Sequence, residues 1–207
     1  MKRLMHASVL VLSLALAGAA LAQEGEPQAL AIGAALPMSD VKMKNVDGKE
    51  LAIDDVKGKK GTLVVFSCNH CPYAKAWEKR IVELGNTFPK KGIGVIMVNP
   101  NDPESFPADA YEEMQARAKQ NGMKFPYVVD ATSDLARTFG ATHTPEAFLF
   151  DPSGKLVYHG AIDDSRDPGQ VKERYLKNAM TALASGKAVA VAETKSIGCS
   201  IKLRPKA

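Results

Sequence analysis

The chain has 207 residues, 45% hydrophobic and 24% charged, with a formal net charge of +4 and three cysteines. That length suits one domain with a proper core, and three cysteines are too few, and odd in number, for a disulfide scaffold. Acidic and basic residues interleave, and the cluster Lys57, Lys59 and Lys60 sits in a glycine-punctuated turn rather than among aromatics, which excludes a nucleic-acid groove.

Lys2 and Arg3 precede an apolar stretch from Val9 to Ala17, and Ala20-Leu21-Ala22 supplies a small-x-small site. This pattern predicts a secretory signal over residues 1–22, cleaved after Ala22, which leaves 185 of the 207 residues, a formal charge of +2 and no membrane span. The product is expected outside the cytoplasm, in the periplasm or secreted. A leader over 23–36 then precedes a domain over 37–190 and a tail over 191–207 that holds Cys199.

Between Val41 and Ile53, Asp47-Gly48 separates two strand-like pieces and predicts a β-hairpin. Thr62 to Phe66 is β-branched and unbroken by polar residues, as befits a central strand buried on both faces. From Pro72, the residues Trp77, Ile81, Leu84 and Phe88 recur at four, three and four positions, an amphipathic helix with Trp77 in the core. Ile93 to Val98 is a second buried strand, and strand, helix, strand implies a parallel pair. A loop over 99–107 leads to an inserted helix from Ala108 to Gln120 with Tyr111, Met114 and Ala118 inward. Tyr127–Val129 reads as a strand and Ser133–Phe139 as a short helix. Phe148 to Phe150, the turn Asp151-Pro152-Ser153-Gly154 and Leu156 to Tyr158 form a hairpin that closes an antiparallel edge. Val171, Tyr175, Ala179 and Leu183 mark a last helix, and the chain ends in a polar tail. The fold class is α/β: a mixed sheet flanked by helices.

Cys68 and Cys71 lie where the strand ending at Phe66 gives way to the helix beginning at Pro72. The unpaired N–H groups of a helix start favour a thiolate, which predicts a lowered Cys68 pKa. A Cys-x-x-Cys pair can also close a disulfide, so one sulfur attacks while the other resolves. Zinc would need a second ligand pair, and Cys199, His70, His143 and His159 supply none at suitable spacing; no metal and no organic cofactor is expected.

The Cys-x-x-Cys at a helix start, the distant Thr144-Pro145 before a strand, and the closing hairpin and helix resemble the thioredoxin fold. The hairpin before the first core strand and the inserted helix resemble its redoxin branch, the alkyl hydroperoxide reductase and thiol-specific antioxidant type. Ser67-Cys68-Asn69-His70-Cys71-Pro72-Tyr73, Thr144 to Asp151 and Ile197 to Lys202 resemble a peroxiredoxin-like subgroup of that branch. The resemblance implies that Cys68 is the nucleophile, Cys71 the resolving thiol, Pro145 cis, and Thr144 a substrate-facing residue. Cys199 has three readings, an added resolving thiol, a site of intermolecular pairing or a buried small side chain, and the resemblance favours the first. Peroxiredoxins carry Thr or Ser three residues before the peroxidatic cysteine and Pro four residues earlier. Here those positions hold Val65 and Gly61, which counts against efficient peroxide chemistry.

His70 either holds the Cys68 thiolate or stands as an exposed bystander, and His143, beside the cis-proline loop that the resemblance implies, either touches the disulfide or a substrate or is simply solvated. Asp163 and Asp164 follow the last strand, where a solvated turn is expected and a proton shuttle for Cys71 is the other reading. The function expected is thiol-disulfide exchange with a protein or small-molecule disulfide or dithiol partner. A peroxidase using Cys68, and a binding or metal-delivery module whose cysteines capture a soft ion, are the alternatives. Oligomeric state and direction of electron flow are not encoded legibly.

Overall fold

The computed structural model describes residues 29–206, so the expected signal segment lies outside the described residues. Among the described residues nine strands and four α-helices follow in chain order: β1 Met43–Lys44, β2 Glu50–Leu51, β3 Gly61–Phe66, α1 Pro72–Thr87, β4 Ile93–Asn99, α2 Tyr111–Gln120 and β5 Tyr127–Val129. The second half contains α3 Asp134–Phe139, β6 His143–Thr144, β7 Glu146–Phe150, β8 Leu156–Gly160, α4 Tyr175–Ala184 and β9 Cys199–Ser200. The central sheet runs β5-β4-β3-β7-β8, parallel on one side of β3 and antiparallel on the other. This is the mixed sheet expected, with β3 at its centre and every β3 residue buried.

Alternation along the strands divides the core in two. Leu63 and Val65 of β3 face α1, α2 and α4 through Trp77, Ile81, Met114, Leu176 and Met180. Val64 and Phe66 face the other way, onto Phe139 of α3 and onto Phe148 and Phe150 of β7. Those four phenylalanines meet edge to face with ring centroids 5.2–5.9 Å apart, the arrangement that aromatic quadrupoles favour. Helix α1 starts with Pro72 at its first position, where a missing N–H costs nothing, and Cys71 is its N-cap residue. Trp77 is 2% exposed, as its place on the apolar stripe predicts.

Three expectations shift. The inserted helix begins at Tyr111, not Ala108, because Pro107–Asp109 forms a 3-10 turn and Ala110 is extended (φ −61°, ψ 157°). The last helix begins at Tyr175: Val171 is extended (φ −67°, ψ 118°) after the turn Pro168–Gln170. The tail is not a free polar end. Its backbone bonds along β8: His159 N donates to Ala192 O (2.9 Å) and Thr194 N donates to His159 O (3.0 Å). Farther on, β9 pairs antiparallel with β6, Lys202 N donates to Asn101 Oδ1 (2.8 Å), and Arg204 N to Ser133 Oγ (2.9 Å). On the opposite side of the sheet, Val46 N donates to Tyr127 O (3.1 Å), so the β1-β2 hairpin lies against β5.

Candidate active site

The end of β3 delivers Ser67 and Cys68 to the start of α1, and β6 delivers Thr144 and Pro145 opposite them. The Thr144-Pro145 peptide bond is cis. Cys68 is 4% exposed and Cys71 fully buried; together with Ala74 they form a small cluster against which Tyr73 and Cys199 pack. Cys68 Sγ lies 3.2 Å from Thr144 Oγ1. Cys71 Sγ lies 3.4 Å from the Thr144 carbonyl oxygen.

Cys71 is disulfide-bonded to Cys199, 128 residues away, and Cys68 is the free cysteine. The vicinal pair expected from the spacing is therefore not the bond present. The reason lies in the tail: β9 sets Cys199 directly across from Thr144, the residue that touches both other sulfurs. Gly198 permits this approach, since a Cβ there would sit 2.3 Å from the Thr144 carbonyl oxygen.

The Cys68 pKa is raised, opposite to the sequence expectation. Burial is the main cause, and the Asp109 carboxylate adds to it; the Thr144 hydroxyl and the N–H groups of Cys71 and His70 act the other way. Helix-start amides do face the sulfur as predicted, but desolvation outweighs them.

Asp109 is the residue sequence reasoning missed. It is 2% exposed and sits at the end of the 3-10 turn before α2. Its Oδ1 accepts from the amides of Asn69 (2.6 Å) and His70 (3.2 Å), and its Oδ2 accepts from Asn101 Nδ2 (2.8 Å). Oδ2 also pairs with His70 Nδ1 at 2.5 Å. The Cys-x-x-Cys loop is thus hung on one carboxylate. Tyr127 Oη donates to Asn69 Oδ1 (3.0 Å) and fixes the loop from β5. Nothing in the Pro- and Asp-rich segment distinguishes Asp109 from Asp102; only the folding of that segment over the cysteines does.

His143 Nδ1 pairs with the Thr142 hydroxyl at 2.8 Å rather than with a sulfur. Its amide and that of Thr142 donate to Glu146 Oε2 at 2.9 and 2.8 Å, while Glu146 Oε1 pairs with His159 Nε2 at 2.7 Å. Asp163 is not in a solvated turn: it is 3% exposed, accepts from Trp77 Nε1 at 2.5 Å and pairs with Arg80. It braces α1 against the segment after β8, a structural task.

Ligand atoms of Cys68, His70 and Asp109 lie within 4.8 Å of one another, the spacing of a metal cluster. Both Asp109 oxygens are already occupied by two donors each, so a cation would have to displace the hydrogen bonds that hold the loop. The donor set does not fit a resident ion.

Cys199→Ser is expected to lower the stability of the oxidised chain by about 2–4 kcal/mol, because the 71–199 bond closes a long loop in the unfolded state. Urea unfolding of wild type and variant without reductant checks this. Coincident midpoints would mean that the bond does not constrain the chain.

Residues 32–159 match the model of the AhpC/TSA family. The thiol-disulfide oxidoreductase ResA of Geobacillus thermodenitrificans is 26% identical over 131 residues, covering 63% of this chain and 70% of that protein. Among solved structures, an uncharacterized conserved protein from Geobacillus kaustophilus superposes with a TM-score of 0.80 at 36% identity, covering 86% of this chain and 94% of its own. A hypothetical protein from Sinorhizobium meliloti 1021 superposes with 0.78 at 31% identity, covering 86% and 97%.

Proposed function

Because this chain belongs to the AhpC/TSA family, we propose that it is a thiol-disulfide oxidoreductase in which Cys68 is the nucleophile. The observation that carries the reading is a single buried free thiol, Cys68, sharing the Thr144 contact with a disulfide-bonded Cys71. The ResA name of the relatives supports it.

With all three cysteines reduced, the Cys68 thiolate attacks a partner disulfide. A bond forms between Cys68 Sγ and one partner sulfur, the partner S–S bond breaks, and the leaving sulfur departs as a thiol after taking a proton. Cys71 then attacks Cys68 Sγ and frees the partner's second sulfur. Cys199 next attacks Cys71, which regenerates the Cys68 thiol and leaves the 71–199 bond. Two electrons pass to the partner, and three thiols become one thiol and one disulfide. The steps run backwards with a reducing partner, and the potentials decide the direction. No cofactor enters any step.

The partner is a protein or small-molecule disulfide or dithiol. Export is part of the proposal, supported by Lys2, Arg3, the apolar stretch and Ala20-Leu21-Ala22, and by the need of a stable disulfide for an oxidising compartment. Among the described residues no helix is long and apolar enough to cross a membrane.

The test uses the full chain carrying Cys71→Ser and Cys199→Ser, incubated with oxidised glutathione. One glutathione on Cys68, located by peptide mass mapping, is the expected result. An unmodified Cys68 would sink the assignment.

A further inference from the structure

Resting on the exchange reading above, we propose that Asp109 is a positioning residue for the reaction. Its buried carboxylate fixes the His70 imidazole beside Cys68, so that the ring carries the thiol proton while sulfur–sulfur bonds are exchanged.

The geometry has three parts. Asp109 Oδ2 engages His70 Nδ1 at 2.5 Å and leaves Nε2 as the nitrogen free to accept a proton. The His70 ring is stacked on Phe106 at a centroid distance of 4.5 Å and an interplanar angle of 18°, which removes most of its rotational freedom. The Cys68 sulfur and one His70 ring nitrogen lie within 4.8 Å of each other, a gap that one water bridges without moving the held ring. Asp109 also accepts the His70 amide, so one side chain sets both the backbone and the ring of the same residue.

The step balances simply. Cys68 gives its proton, through one water, to the imidazole as its sulfur bonds to one sulfur of the partner disulfide; the other partner sulfur leaves and takes the proton back from the imidazolium. A buried thiol with a raised pKa needs such a base at neutral pH, since the thiolate is the attacking species. The groups facing the Cys68–His70 pair are Asp109 from the 3-10 turn, Tyr127 from β5, whose hydroxyl bonds Asn69, and Lys202 from the tail, whose Nζ lies 5.7 Å from the Phe106 ring centre. Thr144, from β6, offers its hydroxyl to Cys68.

Two explanations of Asp109 predict opposite signs. As a mere neighbouring charge it pushes the thiol up, so Asp109→Asn would speed attack at pH 7. As a positioning residue its loss slows attack, because an amide keeps only one accepting oxygen for the four donors now shared by two, and its NH2 cannot hold the remaining pair.

The experiment measures the rate of Cys68 reaction with oxidised glutathione from pH 6 to pH 10.5 in the full chain carrying Cys71→Ser and Cys199→Ser. Asp109→Asn and His70→Gln are each expected to lower the rate at pH 7 by about 10- to 100-fold. Both are expected to approach the parent rate toward the alkaline end of that range, where hydroxide replaces the base. The double variant should be no slower than His70→Gln alone. Unchanged or faster reaction at pH 7, or an equal loss at every pH, would overturn the proposal. If Asp109→Asn does not fold, the His70→Gln profile decides by the same criterion. A parent chain that forms no adduct at all would instead refute the exchange reading itself.

Discussion

Cys68→Ser is expected to reduce disulfide-exchange turnover by at least about 10³-fold, the scale on which loss of a nucleophile is felt in other enzymes. A serine hydroxyl at this position is neutral at any accessible pH and cannot form the mixed disulfide. The substitution should cost little stability, since Oγ can keep the contact with Thr144 Oγ1 now made by Sγ, and the 71–199 bond does not include Cys68. The measurement pairs turnover on a disulfide-containing peptide with a thermal unfolding curve of the same sample. Retained turnover would mean that Cys71 and Cys199 exchange with the partner by themselves. Loss of turnover together with loss of the folded state would show that Cys68 is needed for packing instead.

Glu146→Ala is expected to destabilise the fold by about 3–5 kcal/mol, since it leaves several buried hydrogen-bonding groups without a partner at once, each at about 1–3 kcal/mol. Glu146 is 2% exposed, and its removal strands the amides of Thr142 and His143 and the Nε2 of His159. These are the amides that hold the approach to Thr144, so exchange activity should fall with stability. Burial pushes the Glu146 carboxyl up, but the His159 contact and the two amides outweigh it and hold its pKa below the ordinary value. A carboxylate with a depressed folded-state pKa contributes stability above its unfolded value, about 4.3, and loses that contribution as pH falls through the folded one. The stability gap between wild type and Glu146→Gln should therefore narrow below about pH 4. Urea midpoints at pH 7 and pH 3.5 would check this, and a gap that widens on acidification would contradict the assigned direction.

The sheet, the α1 stripe and the strand-to-helix junction at Cys68 were legible because each rests on local periodicity. Val64 and Val65 alternate into two cores, and Trp77 and Ile81 recur at helical spacing. The Asp151 to Gly154 turn was legible for the same reason: its residues carry the conformation themselves, with Gly154 at φ 77°. Features set by long-range pairing were not. The two-residue strand β9 has no period, and only its register with β6 makes Cys199 the partner of Cys71. Asp109 looks like any loop carboxylate until the turn before α2 folds onto the cysteine loop. The sign of the Cys68 shift was misread because a helix start is visible in sequence while the depth of burial is not. Asp163 was misread in the same way, its partners Trp77 and Arg80 being more than 80 residues away.

The tail that brings Cys199 to the site and the hairpin that precedes β3 have a second effect on the molecule. An outer strand of a sheet offers unpaired N–H and C=O groups that template association with another chain. Here β8 is covered by residues 192–194 at His159 and by Gly33 and Ala34 at Leu156, while β5 is covered by Asn45 and Val46. Each flank of the five-stranded sheet is closed by irregular backbone that is itself too short to propagate a ladder. Part of the protection from edge-to-edge aggregation is thus built from the same tail that carries Cys199, and a chain truncated before residue 192 would lose the cover at His159 together with the partner of Cys71.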